Sequence, residues 1–348
     1  MLLVAGARAA PLADQVSAAR AEIHKNLAST APGFSIAIGR DGKIIWSEGF
    51  GFADLANRKP VTPQTQFRIG SVSKPLTAVG LMLLVEQGKI ELDADIHKYV
   101  TDFPDKGAVI TVRELGGHLA GIRVYHGKEF FSNRHYDSLR TGLKIFQDDP
   151  LVSKPGEKYY YSSYGFNLIG VAMEFAAHDT FTNYMQREVF TPLQMRNTVP
   201  DEAGHEPPEC SRFYILDSKT NFVLGPPVDN SYKWPSGGFL STPEDLVRFG
   251  MAVLQPGFLK RVSLDTMFTS QKTAAGTNTN YGIGWGIGQD ARGERHWAHF
   301  GGAVGGSAAL LLYPDSHLVI AISSNYENAL EHADESIHLI KEDFTSQP

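Results

Sequence analysis

Ser71 and Lys74 stand three residues apart where Phe67-Arg68-Ile69-Gly70 runs into an apolar segment. Residues at that spacing share one face of a helix, so a hydroxyl and an amine are brought together. A hydroxyl is a weak nucleophile until a neighbour takes its proton, and an amine of lowered pKa can do so. Spacing alone is weak support, because a chain of this length holds roughly one S-x-x-K by chance. The weight therefore falls on what else the sequence supplies.

Two further segments could complete such a site. The first is Pro155-Gly156-Glu157-Lys158-Tyr159-Tyr160-Tyr161-Ser162-Ser163-Tyr164-Gly165. A tyrosine there can act as a general base if a cation such as Lys74 stabilises its phenolate. The second is His299-Phe300-Gly301-Gly302 at a strand start, followed by Gly305-Gly306. Glycines in a strand let a substrate approach the backbone. The Gly302 N–H could then face an oxyanion from the side opposite the Ser71 N–H. Two other patterns are set aside. Glycines 282, 284, 286 and 288 alternate along a strand and open no helix, so they form no dinucleotide loop. His296 and His299 should point to opposite faces of a strand, which argues against a metal site.

The elements that must position these groups are readable in outline. Residues 13–29 pattern as an amphipathic helix. Phe34 to Gly39 and Lys43 to Gly49 pattern as strands joined by an Asp41-Gly42 turn. A helix is expected from Ser71, with Pro75 in its first turn, apolar Leu76, Val79, Leu83 and Leu84 at helical spacing, and Gly88 just past its end. Its N-terminus should be buried and favour developing negative charge. Residues 93–265 read as helices and long loops. Strand patterns return at 281–288, 296–300, 307–313 and 318–323, and residues 331–344 read as a closing helix. The expected fold class is α/β (α+β). An antiparallel sheet forms from the two ends of the chain and is flanked by helices, with a large, mainly helical insertion. The expected division is 13–70 plus 271–348 for the sheet and 71–270 for the helical part, together one catalytic unit.

Together the three chemical segments resemble the penicillin-recognising serine hydrolases, in the branch of class C β-lactamases, family VIII carboxylesterases and DD-peptidases. Ser71-Val72-Ser73-Lys74 resembles the S-x-x-K motif, Tyr161-Ser162-Ser163 the Y-x-N or Y-x-S element, and His299-Phe300-Gly301 the K-T-G or H-x-G strand. Pro235–Leu246 and Tyr281–Trp285 are also similar to family segments. The likeness runs from about residue 15 to 325. Gly117-His118-Leu119-Ala120-Gly121-Ile122-Arg123-Val124-Tyr125 and Gly301–Gly305 are similar to the mitochondrial β-lactamase-like serine protease group. The resemblance implies an acyl-enzyme on Ser71, with Lys74 and Tyr161 sharing the proton transfers. It implies an oxyanion hole from the N–H groups of Ser71 and Gly302, and substrate contacts or tuning of Tyr161 from Ser163 and His299. Two departures matter. Ser163 stands where the lactamases carry Asn, and His299 where they carry Lys. Histidine is only partly charged near neutral pH, so capture of a drug's carboxylate should be weaker. The expected activity is thus a peptidase or esterase. The alternatives are a true class C-like β-lactamase or DD-peptidase, or a non-catalytic binding or filament-forming scaffold.

Composition bounds the partners. The chain has 348 residues, is 42% hydrophobic and 20% charged, and carries a net charge of −6 with no basic block. That disfavours nucleic acid and leaves a small-molecule or peptide substrate, with a homo-oligomer open. The chemistry requires no cofactor and no metal. The single Cys210 permits no internal disulfide and sits in a polar, Pro-rich run that argues for a passive role. No run of eighteen apolar residues occurs, so no transmembrane helix is expected. Residues 1–12 are apolar and end in small residues, with Ala7-Arg8-Ala9 as a cleavage-like pattern but no basic leader. This favours a truncated export signal and a periplasmic or secreted protein; a mitochondrial or cytoplasmic location is the alternative.

Overall fold

In the computed structural model, residues 11–27, 30–330 and 334–345 are described. The expected signal remnant and residues 331–333 lie almost entirely outside them. The strands at the two chain ends do form one sheet. Its members are β1 (Gly33–Arg40), β2 (Lys43–Asp54), β3 (Lys59–Pro60), β4 (Gly286–Gln289), β5 (Arg295–Ala303), β6 (Gly306–Tyr313) and β7 (Leu318–Ser324). They run in the order β3-β2-β1-β7-β6-β5-β4. The pairings are antiparallel, with Ile36 opposite Ile322 and Leu310 opposite Ala321.

Period-two alternation sorts the central strands between two cores. Ile36, Ile38, Ala309, Leu311, Ile320 and Ile322 pack under α1 (Leu12–Asn26) and α5 (Asp334–Thr345) through Ala19, Ile23, Ile337 and Ile340. Ala37, Ala308, Leu310, Leu312, Val319 and Ala321 belong to the larger core on the opposite face. That face carries α4 (Pro243–Leu254), whose Gly250 lies so near β7 that an added Cβ would stand 2.6 Å from a Val319 methyl. Because both faces are covered, these strands are apolar over most of their length.

The interior of the second core is built from α2 (Ser73–Glu86) and α3 (Ser163–Ala177), with the short helix Trp234–Gly237 against both. The expected stripe on α2 is wider than the sequence spacing indicated. Leu81 and Met82 are buried with Leu76, Val79 and Leu84, while Leu83 is only half-buried, so α2 is apolar nearly all round. Gly88 follows its end with φ +68°, as expected.

Three expectations are corrected. Ser71 is not in α2 but in the single 3-10 turn Gly70–Val72 that leads into it. Residues 281–285 are not strand: Gly284 has φ +78°, which breaks the ladder, and regular pairing begins at Gly286. The middle of the chain holds short strands as well as helices: Phe67–Arg68, Val199–Pro200 and Phe239–Ser241 form one small sheet, and Tyr214–Leu216 pairs with Phe222–Leu224. Two or three residues are too few to show alternation.

The close approach of α4 predicts that Gly250→Leu destabilises the fold by about 1–3 kcal/mol through overpacking, read as a lower urea midpoint.

Candidate active site

Three elements meet at Ser71. The turn Gly70–Val72 holds it partly exposed, while Lys74 on the first turn of α2 is fully buried. Lys74 Nζ lies 3.0 Å from Ser71 Oγ and 3.2 Å from Ser163 Oγ, and it donates to the Ser236 carbonyl at 2.8 Å. Among the described residues no carboxylate pairs with it. Burial, with a smaller contribution from Lys233, pushes its pKa well below the ordinary amine value.

Tyr161 immediately precedes the α3 N-cap. Ser162 accepts the Gly165 N–H and donates to the Arg123 carbonyl at 2.6 Å, and its own N–H donates to His118 Nδ1 at 3.1 Å. Arg123 is in turn held by Glu129 and Asp149. Tyr161 is thereby aimed at Ser71, close enough for the two hydroxyls to interact, with Lys74 Nζ 4.8 Å from its ring centroid. Burial raises the Tyr161 pKa and the contact with Ser71 opposes it; the balance leaves the hydroxyl protonated at neutral pH.

The third element is β5. Its neighbour β4 pairs only over Arg295–Ala298, so the edge from His299 onward faces the Ser71 turn. The approach is close. An added Cβ on Gly301 would stand 2.0 Å from the Ile69 carbonyl oxygen and 2.9 Å from the Ser71 nitrogen. One on Gly70 would stand 2.5 Å from the Gly302 oxygen, whereas Gly302 itself borders open space. Any side chain at 301 would force strand and turn apart.

His299 is buried. Its Nδ1 donates to the Phe300 carbonyl at 2.8 Å, so Nε2 accepts from the Tyr281 hydroxyl at 2.9 Å. Burial, then the nearby Lys74, pushes it down to about 3, so it is neutral at pH 7. The expectation of a partly charged histidine is therefore too generous. His296 does point to the other face, against Tyr313 and His338, while His299 meets Tyr161 and Tyr281. Among the described residues no cluster could hold a metal. Burial raises the Cys210 thiol to about 12, which leaves it inert at neutral pH.

The sequence residues Ser71, Lys74, Tyr161, Ser163, His299, Gly301 and Gly302 are thus brought to one place. Reading residue types alone missed their supports. His118 packs its ring 4.2 Å from that of Tyr161 and 4.7 Å from that of Tyr281. Tyr125 sets its hydroxyl against those of Ser163 and Ser236. Both lie in the segment Gly117–Tyr125, whose motif was the one available signal. Ser236 lies in the family-like segment Pro235–Leu246, but a backbone carbonyl leaves no side-chain signal; Lys233 carried none.

The fold and this cluster define a serine-hydrolase architecture in which a hydroxyl, a buried amine and a phenol meet beside a strand edge. The chain belongs to the beta-lactamase family: residues 18–343 match the family described as Beta-lactamase. It is 32% identical over 379 residues to the human mitochondrial serine beta-lactamase-like protein LACTB, covering 82% of this chain and 69% of that protein. It is also similar to the octameric penicillin-binding protein homologue from Pyrococcus abyssi, at 26% identity and TM-score 0.79, covering 91% of this chain and 76% of that one. The D-amino acid amidase from Ochrobactrum anthropi SV3 shares the fold, with TM-score 0.82 over 95% of this chain and 98% of that one, at 22% identity. Among the described residues no helix is long and apolar enough to cross a membrane.

His299 makes the fold sensitive to acid. Unfolded, it takes a proton near pH 6.5; folded, it refuses one until about 3. Its contribution to stability is full above about pH 6.5 and is lost as pH falls toward 3. In His299→Gln the urea midpoint should therefore fall less steeply between pH 7 and 4.5 than in the parent.

Proposed function

We propose that this protein is a serine hydrolase that opens amide or ester bonds through an acyl-enzyme on Ser71, with Lys74 as the acylation base. The observation that carries this reading is the buried amine 3.0 Å from the Ser71 hydroxyl, which among the described residues has no carboxylate partner. A neutral amine has two N–H bonds and one lone pair. The Ser236 carbonyl can only accept, so it takes one N–H, and the Ser163 hydroxyl takes the other. The lone pair is left for the Ser71 O–H.

The Ser71 proton passes to Lys74 Nζ as Oγ attacks the substrate carbonyl carbon. The carbonyl π pair moves onto oxygen, where the N–H groups of Ser71 and Gly302 receive it. Collapse breaks the bond to the leaving nitrogen or oxygen. That atom takes its proton from the Tyr161 hydroxyl, and Lys74 returns the proton to Tyr161. Water then attacks the ester, giving up one proton through the same pair. The acid leaves and Ser71 regains its hydrogen. A raised phenol pKa suits Tyr161 as donor better than as resting base.

In this reading, Ser163 orients Lys74 and His299 lines the cleft. A neutral His299 supplies no cation for a substrate carboxylate, which favours a peptidase or esterase over an efficient lactamase. The octameric relative supports self-association, and the human relative supports a mitochondrial location. The sheet part, 13–70 with 271–348, and the helical part, 71–270, act as one catalytic unit, because the site takes a residue set from each.

Ser71→Ala should abolish hydrolysis of a p-nitrophenyl ester, and Tyr161→Phe should cost on the order of 10²–10⁴ in rate. A serine-reactive phosphonate should label Ser71; an intact, unlabelled protein would instead support the scaffold reading. Compared side by side, a short acyl ester or a peptide should turn over faster than a chromogenic cephalosporin. Rapid cephalosporin turnover would make the protein a lactamase.

A further inference from the structure

A second lysine lies close behind the first. Lys233 is only 3% exposed, yet among the described residues no hydrogen bond or ion pair reaches its Nζ. Three rings enclose the amine instead: Phe130 at 4.6 Å, Tyr232 at 5.4 Å and Tyr125 at 5.7 Å from their centroids. Aromatic faces stabilise the charged form of an amine without neutralising it.

The carboxylates nearest this pocket are already engaged. Glu129 is held by Arg123 and by the Tyr164 hydroxyl. Asp201 pairs with Arg68 at 2.7 Å and receives the Asn230 amide. Asp229 pairs with His135. The remaining titratable groups around it are Tyr125, Tyr232, Arg68 and Lys74, with His118 and His299 further into the cleft.

Lys233 is also tied to the turn that holds the active-site amine, because it caps the short helix Trp234–Gly237 that contains Ser236. Ser236, one helical turn later, donates its hydroxyl to the Lys233 carbonyl at 3.3 Å and offers its own carbonyl to Lys74. Tyr125 bridges the two lysines, with its ring against Lys233 and its hydroxyl against Ser163 and Ser236. Two buried like charges repel strongly, because little water lies between them to screen the interaction.

We propose that Lys233 is a positioning residue that holds the single positive charge of a two-lysine pair and so keeps Lys74 neutral as the base for Ser71. This rests on the hydrolase reading of Lys74. The sign follows from the surroundings. Lys233 is lowered to about 7 by burial and by Arg68, with Asp201 opposing, whereas Lys74 is lowered well below its ordinary value, in part by Lys233. On acidification the first proton goes to Lys233, and its charge then resists a second proton on Lys74. The two titrate as a coupled pair.

The test is the acid limb of the pH profile in Lys233→Met and Lys233→Arg. Met removes the charge at similar length, so Lys74 should take its proton at higher pH. The acid limb of phosphonate labelling at Ser71, and of ester kcat/KM, should then move up by about 0.5 unit or more. Arg keeps the charge, and its limb should stay at or below that of the parent. In protein carrying ¹³C-labelled lysine, the titration midpoint of the Lys74 Cε signal should rise in the Met variant. That readout needs no turnover. If Ser71 takes no label in the parent, the hydrolase reading fails, while the Cε titration still tests the pair. An unmoved Lys74 midpoint in a Met variant of parental near-ultraviolet circular dichroism overturns the proposal. So does equal loss of rate in Met and Arg with no shift of the limb. Should the Met variant not fold, a Lys74 midpoint in the Arg variant above that of the parent overturns it.

Discussion

The structure turns on one electrostatic constraint: the Lys74 amine is buried, and among the described residues no carboxylate neutralises it. An isolated buried charge is costly, and the usual outcome is that the group gives up its proton. Everything around Lys74 fits that outcome. Its polar neighbours are two serine hydroxyls and a backbone carbonyl, which can satisfy a neutral amine but cannot balance a cation. The apolar wrapping of α2 and α3 that excludes water is therefore part of the chemistry as well as of the core. It lowers the proton affinity of a surface-type residue beside a partly exposed hydroxyl.

A second constraint is steric. The turn bearing Ser71 and the edge of β5 come so close that position 301 has no room for a side chain. The sheet gains its rigidity from strands buried on both faces, and β5 carries that rigidity to the strand edge. The small sheet that includes Arg68 secures the turn from the other side. The buried Arg68–Asp201 pair and the bond from Arg68 to the Val304 carbonyl connect it to the β5–β6 corner. Breaking one partner of a buried pair typically costs about 3–5 kcal/mol, so the position of the turn is set by strong interactions on both flanks.

The neutral His299 illustrates how surroundings decide chemistry. Its two ring nitrogens are committed to the Phe300 carbonyl and the Tyr281 hydroxyl. The ring is an uncharged wall of the cleft, tied to a tyrosine stack that also includes His118 and Tyr161. The basic side chain that acts electrostatically on Lys74 is Lys233, on the helical side of the site and not on the strand.

Much of this was legible in the chain itself. Strand-forming runs such as Ser35–Ile38 and the continuous apolar Ala308–Tyr313 marked the sheet, and the order Ser71, Lys74, Tyr161, His299 marked the candidate site, because covalent spacing and side-chain type are local properties. The short strands around Phe239 and the break at Gly284 were not legible, since two or three residues carry no period and one dihedral leaves no composition signal. Nor were the roles of Lys233, Ser236 and Tyr125 legible: the motif segments that hold Tyr125 and Ser236 do not disclose their contacts, Lys233 lies in neither, and their effect on Lys74 exists only once the chain has buried them beside it. Sequence by itself determined which groups could react. Tertiary structure decided their protonation, because a pKa depends on burial and on neighbours that lie far apart along the chain.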